Sequence, residues 1–172
     1  RLRKCPLNIN SMTKLSVLDF EQIIFNNKEV ILNKSQELKL QESFSFLKRF
    51  SADKIIYGIN TGFGPMAQFR IKQKDLTCLQ YNLIRSHCTG LGNPLHSFYA
   101  RSVLLARLNT FLQCKSGVSP MVVKKLVEFL NADIVPEIFE HGSVGASGDL
   151  VQLAHLTLSL IGEGHVYVRG HR

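Results

Sequence analysis

The sequence has no apolar run long enough to cross a bilayer. Its most apolar stretch, from Leu150 to Ile161, contains Gln152 and His155 and falls short of the roughly 20 residues that a membrane-spanning helix needs. The amino end carries a small basic head, but Pro6 and several polar residues interrupt it, so no signal peptide is predicted. We therefore expect no membrane partner.

Cysteine is scarce and widely spaced. The four cysteines form no Cys-x-x-Cys pair: Cys5, Cys78, Cys88 and Cys114. Reduced thiols in a cytoplasmic protein are the simplest interpretation. No cysteine or carboxylate joins His141 and His155 at metal-ligand spacing, so no metal site is predicted.

Acidic residues are fewer than basic ones, 13 against 21, which gives a formal net charge of +8. Apart from Lys124-Lys125 and the two chain ends, the cations stand singly among acids. This distribution is typical of a solvated surface rather than of a nucleic-acid-binding patch. We therefore expect no nucleic-acid partner.

Helical periodicity dominates the chain. With 172 residues and 45% hydrophobic content, the chain can bury about 70% of its unfolded surface, so a single domain is allowed. Apolar spacing and end signals predict five helices: residues 36–50, residues 97–112, one beginning near Lys74, one opened by Ser119-Pro120, and one capped by Asp149 and ended by Gly162.

Strands are predicted to be few and short. Lys54 to Ile59 is the one clear internal strand in the pattern. Residues 165–172 indicate a strand that enters a turn with no second strand to pair with. The predicted fold class is mainly α with short β strands.

The segment from Gly142 to Asp149 places a serine between two very small residues just before a helix. The amide nitrogen of Gly148 can attack the carbonyl carbon of Ala146 only where the backbone folds back sharply, which glycine tolerates. Ring closure and loss of two waters, one from the Ser147 hydroxyl, would leave a methylidene carbon conjugated to an imidazolone carbonyl. The amino end of the helix would favour electron density moving into that ring. The same pattern fits a glycine loop in which Ser147 or Asp149 only caps a buried helix.

Three motifs, taken in order along the chain, distinguish these interpretations. They are Tyr57-Gly58-Ile59-Asn60-Thr61-Gly62-Phe63-Gly64, Asn82-Leu83-Ile84-Arg85-Ser86-His87 and Gly145-Ala146-Ser147-Gly148-Asp149. Together they resemble the aromatic amino-acid ammonia-lyases that carry a methylidene-imidazolone group. The likeness runs from about Leu18 to the last residue, and its detail is closest to tyrosine ammonia-lyases of flavobacterial type, among which many relatives are labelled histidine ammonia-lyases.

The resemblance implies the helix-rich amino-terminal part of the ammonia-lyase, L-aspartase-like fold, because family members are considerably longer. Residues 1–11 are then expected to be an extension or a disordered leader, and residues 12–172 the amino-terminal ring-bearing domain. The resemblance also implies a cytoplasmic homotetramer whose active sites draw on several subunits.

The implied reaction is the elimination of ammonia from an aromatic L-amino acid, which makes the protein a carbon-nitrogen lyase. Either L-tyrosine gives coumarate or L-histidine gives urocanate, with tyrosine slightly favoured. The implied cofactor is 4-methylidene-imidazol-5-one formed from Ala146-Ser147-Gly148, with no metal and no nucleotide. An aminomutase of the same family and a catalytically incomplete helical fragment stay open as alternatives.

The resemblance also assigns roles to single residues. Tyr57 removes the β-proton of the substrate, and His87 binds the polar tip of the substrate ring, because a buried ring nitrogen rejects analogues that leave it unpaired. Phenylalanine-specific relatives have apolar residues at this position. Asn60 and Gly64 shape the loop that carries or covers the substrate, and Asp149 supports ring formation as well as capping the helix.

Two other motif matches fail in their context. Gly62 to Ala67 fits the dinucleotide pattern G-x-G-x-x-A, but the region about twenty residues further on, near Ile84 and Arg85, lacks the acid expected for a ribose. A serine hydrolase is disfavoured because Asp149 stands where the nucleophile elbow requires its last glycine.

Overall fold

The computed structural model describes residues 7–9, 14–143, 148 and 150–171. Helices form most of this part of the chain. They are α1 Val17–Ile24, α2 Lys34–Phe50, α3 Gln73–His87, α4 Ser97–Phe111, α5 Pro120–Asn131 and α6 Leu150–Leu160. All five helices predicted from the sequence are therefore present, and α1 is an addition to them.

Side-chain caps explain where several helices begin. Ser16 before α1 and Asn33 before α2 each form a capping box, in which the cap accepts a backbone N–H of the first turn and a side chain of that turn accepts the cap's own N–H. Ser119 caps α5, whose first residue is Pro120. The proline has no N–H that would need a partner at this position.

The core forms around α4. Leu104, Leu105 and Leu108 are fully buried, and they belong to one cluster with Val123 and Leu126 of α5. Burying an apolar side chain of this size stabilises the folded state by about 1.5–3 kcal/mol relative to exposure. The α4–α5 pair is thus the framework on which the other elements pack.

Short strands pair in twos. They are β1 Leu7–Ile9, β2 Val30–Leu32, β3 Leu91–Pro94, β4 Ile134–Pro136, β5 Phe139–His141 and β6 Val166–Val168. β1 runs parallel to β2, whereas β3 with β5 and β4 with β6 are antiparallel. β1 falls within residues 1–11, the predicted extension. The division of the chain at residue 11 stays a prediction.

The prediction for the carboxyl-terminal strand is correct in position and wrong about its partner. β6 pairs with β4, with Val135 opposite Tyr167. The pairing was missed because β4 has only three residues, one of them Pro136, and such a segment shows no alternation that a sequence pattern can detect.

The predicted strand from Lys54 to Ile59 is wrong, because these residues form a bend and irregular backbone that leads into a turn at residues 57–59. The side chain of Asn60 explains the difference. It accepts the N–H of Ile56 at 2.8 Å and donates to the carbonyls of Lys54 at 2.7 Å and Ser51 at 3.1 Å. Two backbone groups that a strand would offer to a neighbour, the N–H of Ile56 and the carbonyl of Lys54, are therefore bonded to one local side chain.

None of the helices in the described ranges is both long and apolar enough to span a bilayer. In the same ranges, no three histidine, cysteine or acidic side chains gather closely enough to hold a metal ion.

Candidate functional site

Tyr57 lies in a turn and not on a strand, and its side chain is 63% exposed. Its hydroxyl oxygen lies 3.5 Å from the N–H of Gly64, which donates to it, and its ring meets Phe63 edge-on at 6.1 Å. Both contacts lie within its own loop. The predicted meeting of this phenol with the Ser147 segment stays a prediction.

The loop that carries Tyr57 is anchored from beneath by Asn60 and Thr61. Asn60 is only 6% exposed, and its side-chain amide makes the three hydrogen bonds to the backbone of Ile56, Lys54 and Ser51 described above. Thr61 accepts the N–H of Gly58 at 3.3 Å and donates to the carbonyl of Gly62 at 2.8 Å. The structure thus gives Asn60 an anchoring position, and its role toward substrate stays a prediction. Thr61 was missed because nothing in the sequence marks a threonine as buried.

A cationic cavity lies beside this loop. It encloses about 770 Å³, and Ile59 and Asn60 form part of its wall. Lys48, Arg70 and Lys72 supply its positive charge. The sequence did not reveal this grouping because Lys48 lies in a different segment from Arg70 and Lys72.

His87 is the last residue of α3 and is half-buried. Its Nδ1 lies 2.9 Å from the carbonyl oxygen of Leu83 and 3.1 Å from the hydroxyl of Ser86. Since a carbonyl oxygen only accepts, the Leu83 contact places a proton on Nδ1, so that Nε2 of the neutral imidazole is an acceptor. A neutral imidazole held in this way can accept a hydrogen bond from a phenol O–H or from an imidazole N–H.

The predicted ring tripeptide lies mostly outside the described residues, which include Gly148 but not Ala146, Ser147 or Asp149. Gly148 has a φ of +82°, and no heavy atom lies within 4 Å of the position that a Cβ would take there. Its carbonyl oxygen accepts the hydroxyl of Ser143 at 3.4 Å, and α6 begins two residues later.

Gly148 therefore has a left-handed backbone two residues before the amino end of α6, which is compatible with the sharp turn that ring closure needs. Other residues adopt such a φ only with strain. Gly148, the described residue of the tripeptide, fits the implied prosthetic group.

The structure brings the helix that ends in His87 against the helix that follows Gly148. Arg85 of α3 holds Glu163, just beyond α6, through two contacts of 3.0 and 2.5 Å. The Arg85 guanidinium keeps the pKa of the Glu163 carboxyl below its usual value. Both side chains are solvated, so this pair guides the packing of α3 on α6 more than it stabilises the fold.

A second cavity lies beside α6, and we call it the α6 cavity. It encloses about 260 Å³, and its lining includes Cys88, Glu137, His155 and His165. Glu137 is only 8% exposed; its carboxylate accepts the hydroxyl of Tyr167 at 3.1 Å and lies 3.4 Å from Nδ1 of His165. This buried carboxylate was missed because its partners lie about thirty residues further along the chain.

Burial shifts the pKa values of two other groups that line this cavity, Cys88 and His155. It raises the pKa of the Cys88 thiol, with a smaller contribution from the negative charge of Glu163. Burial lowers the pKa of His155, and the negative charge of Glu137 opposes part of that shift. At neutral pH the cavity thus holds a neutral thiol and a neutral imidazole.

The sequence matches the aromatic amino acid lyase family over residues 15–172. It is 41% identical over 159 residues to a histidine ammonia-lyase of Geobacillus sp. (strain WCH70), covering 92% of this chain and 31% of that protein. A histidine ammonia-lyase of Bacillus mycoides (strain KBAB4) is 40% identical, with 92% and 32% covered.

The comparison with solved structures agrees with this family match. The fold superposes on the tyrosine aminomutase from Streptomyces globisporus with a TM-score of 0.87 and 33% identity, covering 96% of this chain and 31% of that one. The histidine ammonia-lyase from Trypanosoma cruzi gives a TM-score of 0.77 and 31% identity, with 88% and 29% covered. The chain thus spans about a third of the length of the proteins it matches.

Proposed function

The chain belongs to the aromatic amino acid lyase family, and on that premise we propose that it forms part of an enzyme that eliminates ammonia from L-tyrosine or L-histidine. The products are coumarate and urocanate, respectively. Membership confirms the resemblance seen in the sequence, and the superpositions confirm the predicted helix-rich, ammonia-lyase type of fold. The observation that carries the proposed function is the family match over residues 15–172, and the left-handed backbone of Gly148 two residues before α6 supports it.

Ala146, Ser147 and Gly148 are the residues that would form the 4-methylidene-imidazol-5-one group of this family. Once formed, that group would supply an electrophilic carbon that the encoded side chains do not offer. The chain's own contribution is a helix amino terminus beyond that position, whose partial positive charge favours negative charge at its end. Asp149 is proposed to support ring formation.

Tyr57 is the proposed base for the β-proton of the substrate. Its exposure leaves the phenol oxygen accessible to a ligand, and the Gly64 N–H donates to that oxygen. Asn60 supports the proposal because its side chain fixes the loop on which Tyr57 lies.

His87 is the proposed reader of the substrate ring. With its proton on Nδ1, Nε2 accepts a hydrogen bond from the tyrosine hydroxyl or from the N–H of a histidine ring. Phenylalanine has no group to donate and would leave this acceptor unpaired, which disfavours it. The relatives similar in sequence are histidine ammonia-lyases, whereas one solved neighbour is a tyrosine aminomutase, so both substrates belong in the test.

The assembly is part of the proposal as well. Because the chain spans about a third of its relatives, we propose that the whole protein is a homotetramer that completes the pocket with residues from further segments and subunits. Exposed apolar side chains, among them Val17 at 84% and Tyr99 at 66%, support a surface that is covered on assembly.

Two measurements test the proposed function. The intact mass should be lower than the sequence mass by two water molecules, and a near-ultraviolet absorbance should appear that borohydride removes. The whole protein should release ammonia from tyrosine or histidine much faster than from phenylalanine. An uncyclised Ala146-Ser147-Gly148 peptide in an active preparation would overturn the proposal, and a β-amino acid product would identify an aminomutase.

A further inference from the structure

Gly90 and His155 join the end of α3 to the middle of α6. The backbone N–H of Gly90 donates to Nε2 of His155 at 3.1 Å. Gly90 lies three residues after His87, and His155 lies on the helix that follows Gly148. One hydrogen bond therefore links the segment after the proposed substrate-reading residue to the helix that follows the proposed ring.

The contact depends on residue 90 having no side chain. A Cβ at Gly90 would lie 2.8 Å from Nε2 of His155 and 2.9 Å from the Cβ of Phe139, closer than real Cβ atoms approach their neighbours. The Phe139 ring also meets the imidazole of His155 at 5.2 Å in a T-shaped arrangement. The backbone and an aromatic ring thus hold the imidazole from two directions.

The tether between Gly90 and His87 is short and bonded along its length. The N–H of Cys88 donates to the carbonyl of Arg85, and the N–H of Thr89 donates to the carbonyl of His87 at 2.9 Å. Three residues span at most about 10 Å. These bonds couple Gly90 to the last turn of α3, which ends in His87.

An N–H donor at 3.1 Å requires that Nε2 of His155 be unprotonated, so the imidazole is neutral with its hydrogen on Nδ1. The titratable groups around His155 come from several elements. Cys88 after α3, Glu137 between β4 and β5, and His165 before β6 line the same cavity. The negative charge of Glu163, beyond α6, raises the pKa of Cys88. Burial favours the neutral imidazole, and the Glu137 carboxylate favours the charged one.

We propose that His155 is a positioning residue, whose unprotonated Nε2 holds the Gly90 segment against α6 and thereby sets where His87 lies relative to the Gly148 end of that helix. The inference rests on the proposed function only in assigning a task to His87. The link between His155, Gly90 and His87 is a property of the fold and is measured separately.

Two variants separate this role from simple packing. His155→Gln keeps an acceptor near the position of Nε2 but does not titrate, whereas His155→Leu fills the space without an acceptor. His171→Leu is the matched control, because this histidine is exposed and its described hydrogen bonds are made by the backbone.

The first readout is NMR of the chain itself. The signals of the Gly90 amide and of the His87 ring should shift together as His155 is protonated. Both signals should also shift in His155→Leu. In His155→Gln they should lie close to the positions that the unsubstituted protein shows at neutral pH. His171→Leu should leave them in place. A Gly90 amide that ignores the protonation of His155, or His87 signals that are the same in all variants, would overturn the inference.

The second readout is substrate preference in the whole protein. His155→Leu should lower the preference for tyrosine or histidine over phenylalanine by about tenfold, and His155→Gln should restore it, because a misplaced His87 loses the polar contact. An equal loss for all substrates would mean that His155 only packs α6. If the unsubstituted whole protein shows no lyase activity, the proposed function fails while the NMR result still decides the positioning.

Discussion

The buried side chain of Asn60 donates to the carbonyl of Lys54 at 2.7 Å. This contact, together with the bonds to Ile56 and Ser51, turns the chain away from the extended path that its composition suggests. It also fixes the loop on which Tyr57 lies. The amide of Asn60 is therefore a direct target for testing how the loop is held.

Asn60→Ala should lower the free energy of unfolding by about 1–3 kcal/mol, because three backbone groups lose their partner. Protection of the Ile56 amide against hydrogen exchange should disappear. Asn60→Asp keeps the acceptor for that amide and should retain its protection while losing the two donated bonds. Equal protection in all three proteins would contradict the anchoring role.

Ser147→Ala should abolish the near-ultraviolet absorbance, the mass deficit of two waters and the turnover. The fold should survive, with a change in unfolding free energy within about 0.5 kcal/mol. Ser35→Ala, at an exposed position in the first turn of α2, is the matched control and should keep all three signatures. A near-normal rate in Ser147→Ala would count decisively against the proposed prosthetic group.

Tyr57→Phe should slow turnover by about 10²–10⁴-fold, the range for the loss of a general base. Ring formation should persist, since the hydroxyl is not part of the tripeptide. Because the side chain is largely exposed, stability should change little. Parallel measurement of kcat and of the borohydride-sensitive absorbance separates the two effects, and a loss of both together would assign Tyr57 to ring formation instead.

Stability should fall in mild acid because of His155. Its pKa is lowered in the folded protein, so the unfolded chain takes up a proton more readily, and folding is favoured by the neutral form. This contribution is complete above about pH 6.5, the ordinary pKa of histidine, and is lost as the pH falls through the lower value of the folded state. In denaturant titrations from pH 8 to pH 5, the free energy of unfolding should decline less steeply for His155→Gln than for the unsubstituted protein. Identical slopes for the two proteins would contradict the assignment.

Helices were predictable from the sequence because their signals are local. Ser119 followed by Pro120 marks the start of α5, and the apolar spacing after Leu104 marks the buried face of α4. The strand prediction at Lys54 failed because side-chain hydrogen bonding by Asn60 overrides the strand preference of the isoleucines around it.

The site residues also fall into those that the sequence predicted and those that it did not. Motif residues such as Tyr57 and His87 were identified from the sequence, because the chemistry they offer depends on their type and immediate neighbours. The carboxylate of Glu137 and the acceptor role of His155 were not predicted. Each depends on groups that are distant in sequence: thirty residues separate Glu137 from Tyr167, and sixty-five separate Gly90 from His155.

By itself, the sequence determined the helical segments, the family and the small residues from which a ring can form. Only the tertiary structure decided that α3 lies against α6, that residue 90 must be a glycine, and that a neutral imidazole joins the two helices. The physical reason is that capping and periodicity act within a few residues. Burial, the state of a proton and the close approach of two backbones are set instead by whichever distant segments the core brings together.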